Sequence, residues 1–113
     1  MEIQECLSRL VEAIKACPEL QAYNEARAEL KKDPEKERRV QEYRAMNYRL
    51  QNSEDEVDLF TEADRLADEF RDVYHDSVMQ DYLKAEAALC KVVQQIDAEV
   101  IGCLDFEPLA EDN

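Results

Sequence analysis

Apolar residues recur every three or four positions along most of this chain, the spacing that lines one face of an α-helix. Ile3, Leu7, Leu10, Val11 and Ile14 draw the first such stripe and predict a helix over about residues 2–16. Cys17-Pro18-Glu19 and Asp33-Pro34-Glu35 mark two further helix starts. Proline suits the first helical position because its missing N–H has no partner there, and the glutamate after it meets the positive end of the helix dipole. Proline also disfavours helical backbone in the residue before it, so bends are expected at Cys17 and Asp33.

The stripe resumes after Pro18 as Leu20, Tyr23, Ala26 or Arg27, and Leu30. Asp33 is the expected cap of a third helix, whose inward set is Val40, Tyr43, Met46 or Asn47, and Leu50. Ser53 with Glu56 matches the S-x-x-E capping box and predicts a fourth helix carrying Val57, Phe60, Ala63, Ala67, Phe70 and Tyr74, its face widened by Leu59, Leu66 and Val73. Ser77 with Gln80 repeats the signal ahead of a long last helix striped by Val78, Tyr82, Ala85, Leu89, Val92, Ile96 and Val100. Gly102 is expected just past that helix, in a left-handed conformation. The prediction is an all-α protein: an antiparallel bundle of about five helices with one long C-terminal helix.

Composition narrows this picture. One glycine and three prolines in 113 residues argue against a sandwich or barrel. The length suits one domain, expected over residues 1–104, followed by an acidic tail over 105–113 that contains Asp105-Phe106-Glu107-Pro108. No run approaches eighteen apolar residues and the start carries no basic leader, so a cytoplasmic protein without a membrane role is expected. The net charge of −14 repels phosphate on average, and no direct nucleic-acid partner is expected.

Charge is unevenly placed. Residues 31–49 hold seven basic side chains against four acids, while residues 54–72 hold nine acids against two arginines. A tight turn at Asn52-Ser53 would set these helices antiparallel, with Arg49 near Asp58, Arg44 near Glu62 or Asp64, Arg39 near Asp68 and Lys36 near Asp72. Such exposed pairs select register more than they add stability. A weak echo also links Leu20-Gln21-Ala22-Tyr23 through Leu30 with Met79-Gln80-Asp81-Tyr82 through Leu89, either as related helix starts or as two amphipathic entries drawn from one small vocabulary.

Reaction chemistry finds little support. The sole histidine, His75, follows Asp72 in a D-x-x-H spacing, but a di-iron bundle needs two such pairs and further inward glutamates. No glycine-rich phosphate loop, G-x-S-x-G elbow or H-E-x-x-H occurs. Cys6, Cys17, Cys90 and Cys103 form no C-x-x-C pair, and each same-helix pair lies too far apart along a straight helix to hold one metal. They are read as free thiols on or beside the stripes, so neither a cofactor nor a metal is expected. A cysteine-dependent iron–sulfur or metal-binding sensor subunit is the alternative.

Leu10, Ala13-Ile14, Pro18-Glu19, Tyr23, Ala26, Leu30, Asp33-Pro34-Glu35, Tyr43, Tyr82-Leu83, Ala85-Glu86, Leu89 and Ile96 together resemble the YlbF/YmcA family of small helical bacterial regulators. The pattern spans about residues 3–101, and its most specific parts are the Pro-Glu-x-x-x-Tyr start, the Asp-Pro-Glu start and the Tyr-Leu-x-Ala-Glu block. The chain departs from that pattern at Cys17, where the family commonly has Ser, and at Asn52-Ser53-Glu54, which lacks the frequent Gly. The resemblance implies a non-enzymatic protein that assembles with other proteins, promotes developmental programmes such as competence, sporulation and biofilm formation, and influences ribonuclease-dependent maturation of messenger RNA. Some relatives' complexes are linked to iron–sulfur clusters, a property that neither Cys90 nor Cys103 carries over by position. The expected role is a regulatory interaction module whose partners are itself, as a homodimer, and other proteins. The side chains expected to serve that interaction are Tyr23, Tyr43, Phe60, Phe70, Tyr82, Leu89 and Ile96.

Overall fold

The computed structural model describes residues 2–52 and 59–104, and these are helical almost throughout. Among the described residues six helices follow in chain order: α1 (Ile3–Lys15), α2 (Pro18–Lys31), α3 (Pro34–Gln51), α4 (Leu59–Glu69), α5 (Arg71–His75) and α6 (Ser77–Gly102). No strand occurs among the described residues. The protein is all-α, with the long C-terminal helix that the periodicity predicts. The Ser53/Glu56 capping box and the acidic tail lie outside the described residues.

Both proline starts hold. Cys17 and Asp33 adopt extended backbone ahead of Pro18 and Pro34, which breaks the rod at each point. The two caps differ in chemistry. The Asp33 carboxylate accepts from the backbone N–H of Glu35 at 3.1 Å and of Lys36 at 3.3 Å, whereas Cys17 makes no side-chain cap bond.

Three expectations need correction. First, the single fourth helix expected to run on through Tyr74 is interrupted at Phe70 (φ −109°, ψ 35°) and divided into α4 and α5. Phe70 turns into the core there and is only 1% exposed. Arg39 braces the break. Its guanidinium lies 4.5 Å from the centre of the Phe70 ring, donates to the Glu69 carbonyl at 3.0 Å, and forks onto both Asp72 oxygens at 2.8 Å. Second, the last helix is capped by Asp76 and not by Ser77: Asp76 holds the extended backbone ahead of the helix, and its carboxylate accepts from Met79 N–H at 2.9 Å. Gln80, the expected box partner, donates instead to the Val73 carbonyl at 2.9 Å. Third, Gly102 is the last residue of α6, and Cys103 closes the helix in right-handed conformation (φ −77°, ψ −13°). The turn is satisfied without a positive φ.

The charge complementarity is present, shifted by one helical turn. Arg39 pairs with Asp72 and not Asp68, and Lys36 with Asp76 (2.8 Å) and not Asp72. Arg44 crosses to α6 and forks onto Glu86 (2.7 and 3.1 Å), away from Glu62 and Asp64. Asp58 lies outside the described residues. The antiparallel register of α3 against α4–α5 is therefore centred later in the chain than a turn at Asn52-Ser53 implies.

These links set the directions of the rods. The short turn at Lys32-Asp33 brings the end of α2 to the start of α3, and Lys36–Asp76 ties that point to the start of α6. So α2 runs antiparallel to α6, while Lys36–Asp76 and Arg44–Glu86 set α3 parallel to it. The core sits where these helices meet: Leu30, Val40, Leu66, Phe70, Val73, Met79 and Tyr82.

The molecule is a thin plate, 51 × 44 × 17 Å, with a radius of gyration of 18.3 Å. A compact chain of this length would have about 13 Å. It exposes 9074 Å², whereas a compact protein of its mass exposes about 6,400 Å². The core at one junction is small for so much chain.

Candidate functional site

The stripe of α6 explains where the surplus surface lies. The helix is about 39 Å long at 1.5 Å per residue, while α2, its main neighbour, is about 21 Å. Near its start the stripe is covered, with Met79 at 4% and Tyr82 at 5% exposure. Past Leu89 α2 runs out and α3 reaches only about as far as Gln94; Val92 and Ile96 stay half-buried, while Val93 (45%) and Val100 (50%) stand open, with Ile101 and Leu104 also exposed.

A second uncovered stripe lies on α1. None of its residues is buried, and among the described helices it packs on α2 alone. Ile3 is 83% exposed, and Leu7, Leu10 and Val11 stand open on the same face. Of the eleven large exposed hydrophobics among the described residues, eight belong to α1 or to the stretch from Val93 to Leu104 that ends α6 and follows it. A soluble surface seldom gathers apolar side chains this way unless something covers them.

The expected interaction residues divide by burial. Phe70 and Tyr82 have rings covered by their own chain. Tyr23, Tyr43, Leu89 and Ile96 are half-buried. Phe60 falls in α4, and its side chain is outside the described part. The tyrosines are brought together in pairs. Tyr23 and Tyr82, the matching residues of the sequence echo, pack at 5.5 Å between ring centres with hydroxyls 3.3 Å apart. Tyr43 stands edge-on to both Phe70 and Tyr74 at 5.6 Å, and its hydroxyl lies 3.3 Å from that of Tyr74. Burial, with help from the facing hydroxyl, pushes Tyr43 and Tyr82 up to about 12.

The ion pairs carry opposite shifts. Arg39 holds the Asp72 carboxyl below its ordinary value, and Lys36 does the same to Asp76, which in turn raises Lys36. His75 faces the Arg71 carbonyl at 3.2 Å, and Asp72 is engaged by Arg39, so the D-x-x-H spacing assembles no shared site. Cys6, Cys90 and Cys103 are exposed, Cys17 is half-buried, and all four are free thiols. Among the described residues no three His, Cys, Asp or Glu side chains converge as a metal site. No described helix is long and apolar enough to cross a membrane. An open groove of about 1300 Å³ between α3 and α6 is the largest concavity described, lined by Tyr43, Tyr48 and Tyr74 together with Gln80, Gln94 and the Arg44–Glu86 pair.

Two residue groups were not singled out from sequence. Arg39 is expected from sequence only as an ion-pair partner of Asp68; its contacts with Phe70 and the Glu69 carbonyl depend on a helix break that periodicity does not show. The exposed end of α6 had a legible signal: a stripe of this length exceeds any other helix in the chain, so no single neighbour can cover it.

The described residues thus form an all-α protein of amphipathic rods, with apolar stripes left open on α1 and at the end of α6. A family model described as control of competence regulator ComK, YlbF/YmcA, matches residues 3–102. The chain belongs to this family. No curated protein and no solved structure shows significant similarity to it.

Proposed function

We propose that this protein is a non-enzymatic regulatory module of the competence-control type, acting by assembly with itself and with other proteins. The observation that carries this reading is the pair of uncovered stripes on α1 and the end of α6, on a chain that exposes 9074 Å². The surplus over a compact monomer, about 2,700 Å², is of the order that obligate homodimers bury. Family membership supplies the regulatory role, and an influence on messenger RNA maturation through protein partners is the finer form of it. With a net charge of −14, such influence runs through proteins and not through direct contact with RNA.

The test is gel filtration coupled to light scattering at tens of micromolar. A mass of twice 13.2 kDa or more is expected. A strict monomer at that concentration overturns self-association. Affinity purification of the native protein from its own host then names the other partners.

A further inference from the structure

We propose that α1 of one copy covers the exposed end of α6 of a second copy, and that the second copy's α1 does the same in return. The inference rests on the self-associating reading above and names its surface. Four observations lead to it. The two stripes match in length: α1 spans about 20 Å, and the stretch of α6 from Leu89 to its end at Gly102 also about 20 Å. They match in chemistry, leucine and isoleucine from α1 facing the valines and isoleucine of α6, with none of the eight side chains buried. Within one chain they do not touch, since among the described elements α1 contacts α2 and not α6. A twofold exchange covers both stripes in both copies and closes the assembly at two chains.

The tyrosine-lined groove between α3 and α6 is a poorer seat for α1. Beside Tyr43, Tyr48 and Leu83 its walls carry Gln41, Gln80, Gln94 and the Arg44–Glu86 pair, which the apolar face of α1 would desolvate without replacing the water they bind. The end of α6 continues a stripe that is already buried at its other end, so the same kind of helix-on-helix packing needs only to be extended.

Two variants break the contact from opposite sides: Leu7→Glu with Val11→Glu on α1, and Val93→Lys with Val100→Lys on α6. Each alone is expected to be monomeric at 10 µM by light scattering, with helical circular dichroism retained because all four positions are exposed. Mixed in equal amounts, the two are expected to form a heterodimer, because one native contact is restored and the other sets Glu against Lys. A milder Leu7→Ala/Val11→Ala pair, which keeps helix propensity, should raise the dissociation constant at least tenfold. Wild-type protein that is monomeric throughout overturns self-association and this inference together. Wild-type dimers whose variants stay dimeric, or whose monomeric variants fail to pair on mixing, overturn the α1-on-α6 exchange and leave self-association standing.

Discussion

The junction of α2, α3, α5 and α6 and the two free ends of the molecule are built from the same kind of helix, and they differ in what covers the stripe. At the junction, neighbouring helices close over Phe70, Val73 and Leu30, each at most 1% exposed. Charge and ring contacts around Arg39 hold the helix break that lets Phe70 enter. At the ends, α1 and the last turns of α6 carry stripes of comparable hydrophobicity with no described neighbour over them. Amphipathicity alone therefore does not mark a core residue. Position relative to the ends of neighbouring helices decides between intramolecular core and available surface.

The largest effect should separate these two regions directly. Phe70→Ala is expected to cost about 3–5 kcal/mol in urea unfolding, the lost burial plus the cavity left behind. Leu7→Ala, measured at a dilution where the chain is monomeric, should change stability by no more than about 0.5 kcal/mol. Equal losses at the two positions would mean that α1 packs within its own chain.

Next comes the brace. Arg39→Ala removes the fork onto Asp72, the bond to the Glu69 carbonyl and the contact with Phe70, and should cost about 1–3 kcal/mol. Arg39→Lys should recover only part of this, because an ammonium cannot fork across both Asp72 oxygens. Full recovery by lysine in thermal melts would reduce the site to a simple charge contact.

Proton linkage gives a smaller and two-sided effect. Asp72 and Asp76 have lowered pKa in the folded chain, so their contribution is complete above the ordinary carboxylate value of about 4 and is lost as pH falls through the folded values. Tyr43 and Tyr82 are raised to about 12, so the stability they confer is complete below the ordinary tyrosine value and disappears as pH rises toward 12. Ultraviolet titration of tyrosinate should accordingly show two of the five tyrosines ionising late, in the cluster at the junction. Five coincident titrations would contradict the buried pairs.

The smallest effect belongs to the far end of α6. Gly102 sits in a helix with nothing within 4 Å of a Cβ built there. Gly102→Ala should stabilise the chain by about 0.5–1 kcal/mol, through lower entropy of the unfolded state. A loss of stability would require the left-handed end that the lone glycine suggested.

Much of the fold was legible because helices announce themselves locally. The stripes over α1, α2, α3 and α6, the bends at Cys17 and Asp33 and the cap by Asp33 all follow from spacing and from proline and carboxylate chemistry within a few residues. The errors are equally instructive. Asp76 displaced Ser77 as cap because it also meets Lys36 from another helix, and Arg39 found Asp72 one turn beyond its expected partner. Tyr23 and Tyr82, read as an echo of each other, are in contact across the α2–α6 seam.

Helix content, approximate boundaries, family and the sign of the surface charge were determined by the sequence alone, since each depends on residues close together in the chain or on a simple sum. Register, the break at Phe70 and the division of one long stripe into a buried half and an open half were decided by the tertiary structure. They depend on where the ends of separate helices fall in space, and local periodicity holds no information about that.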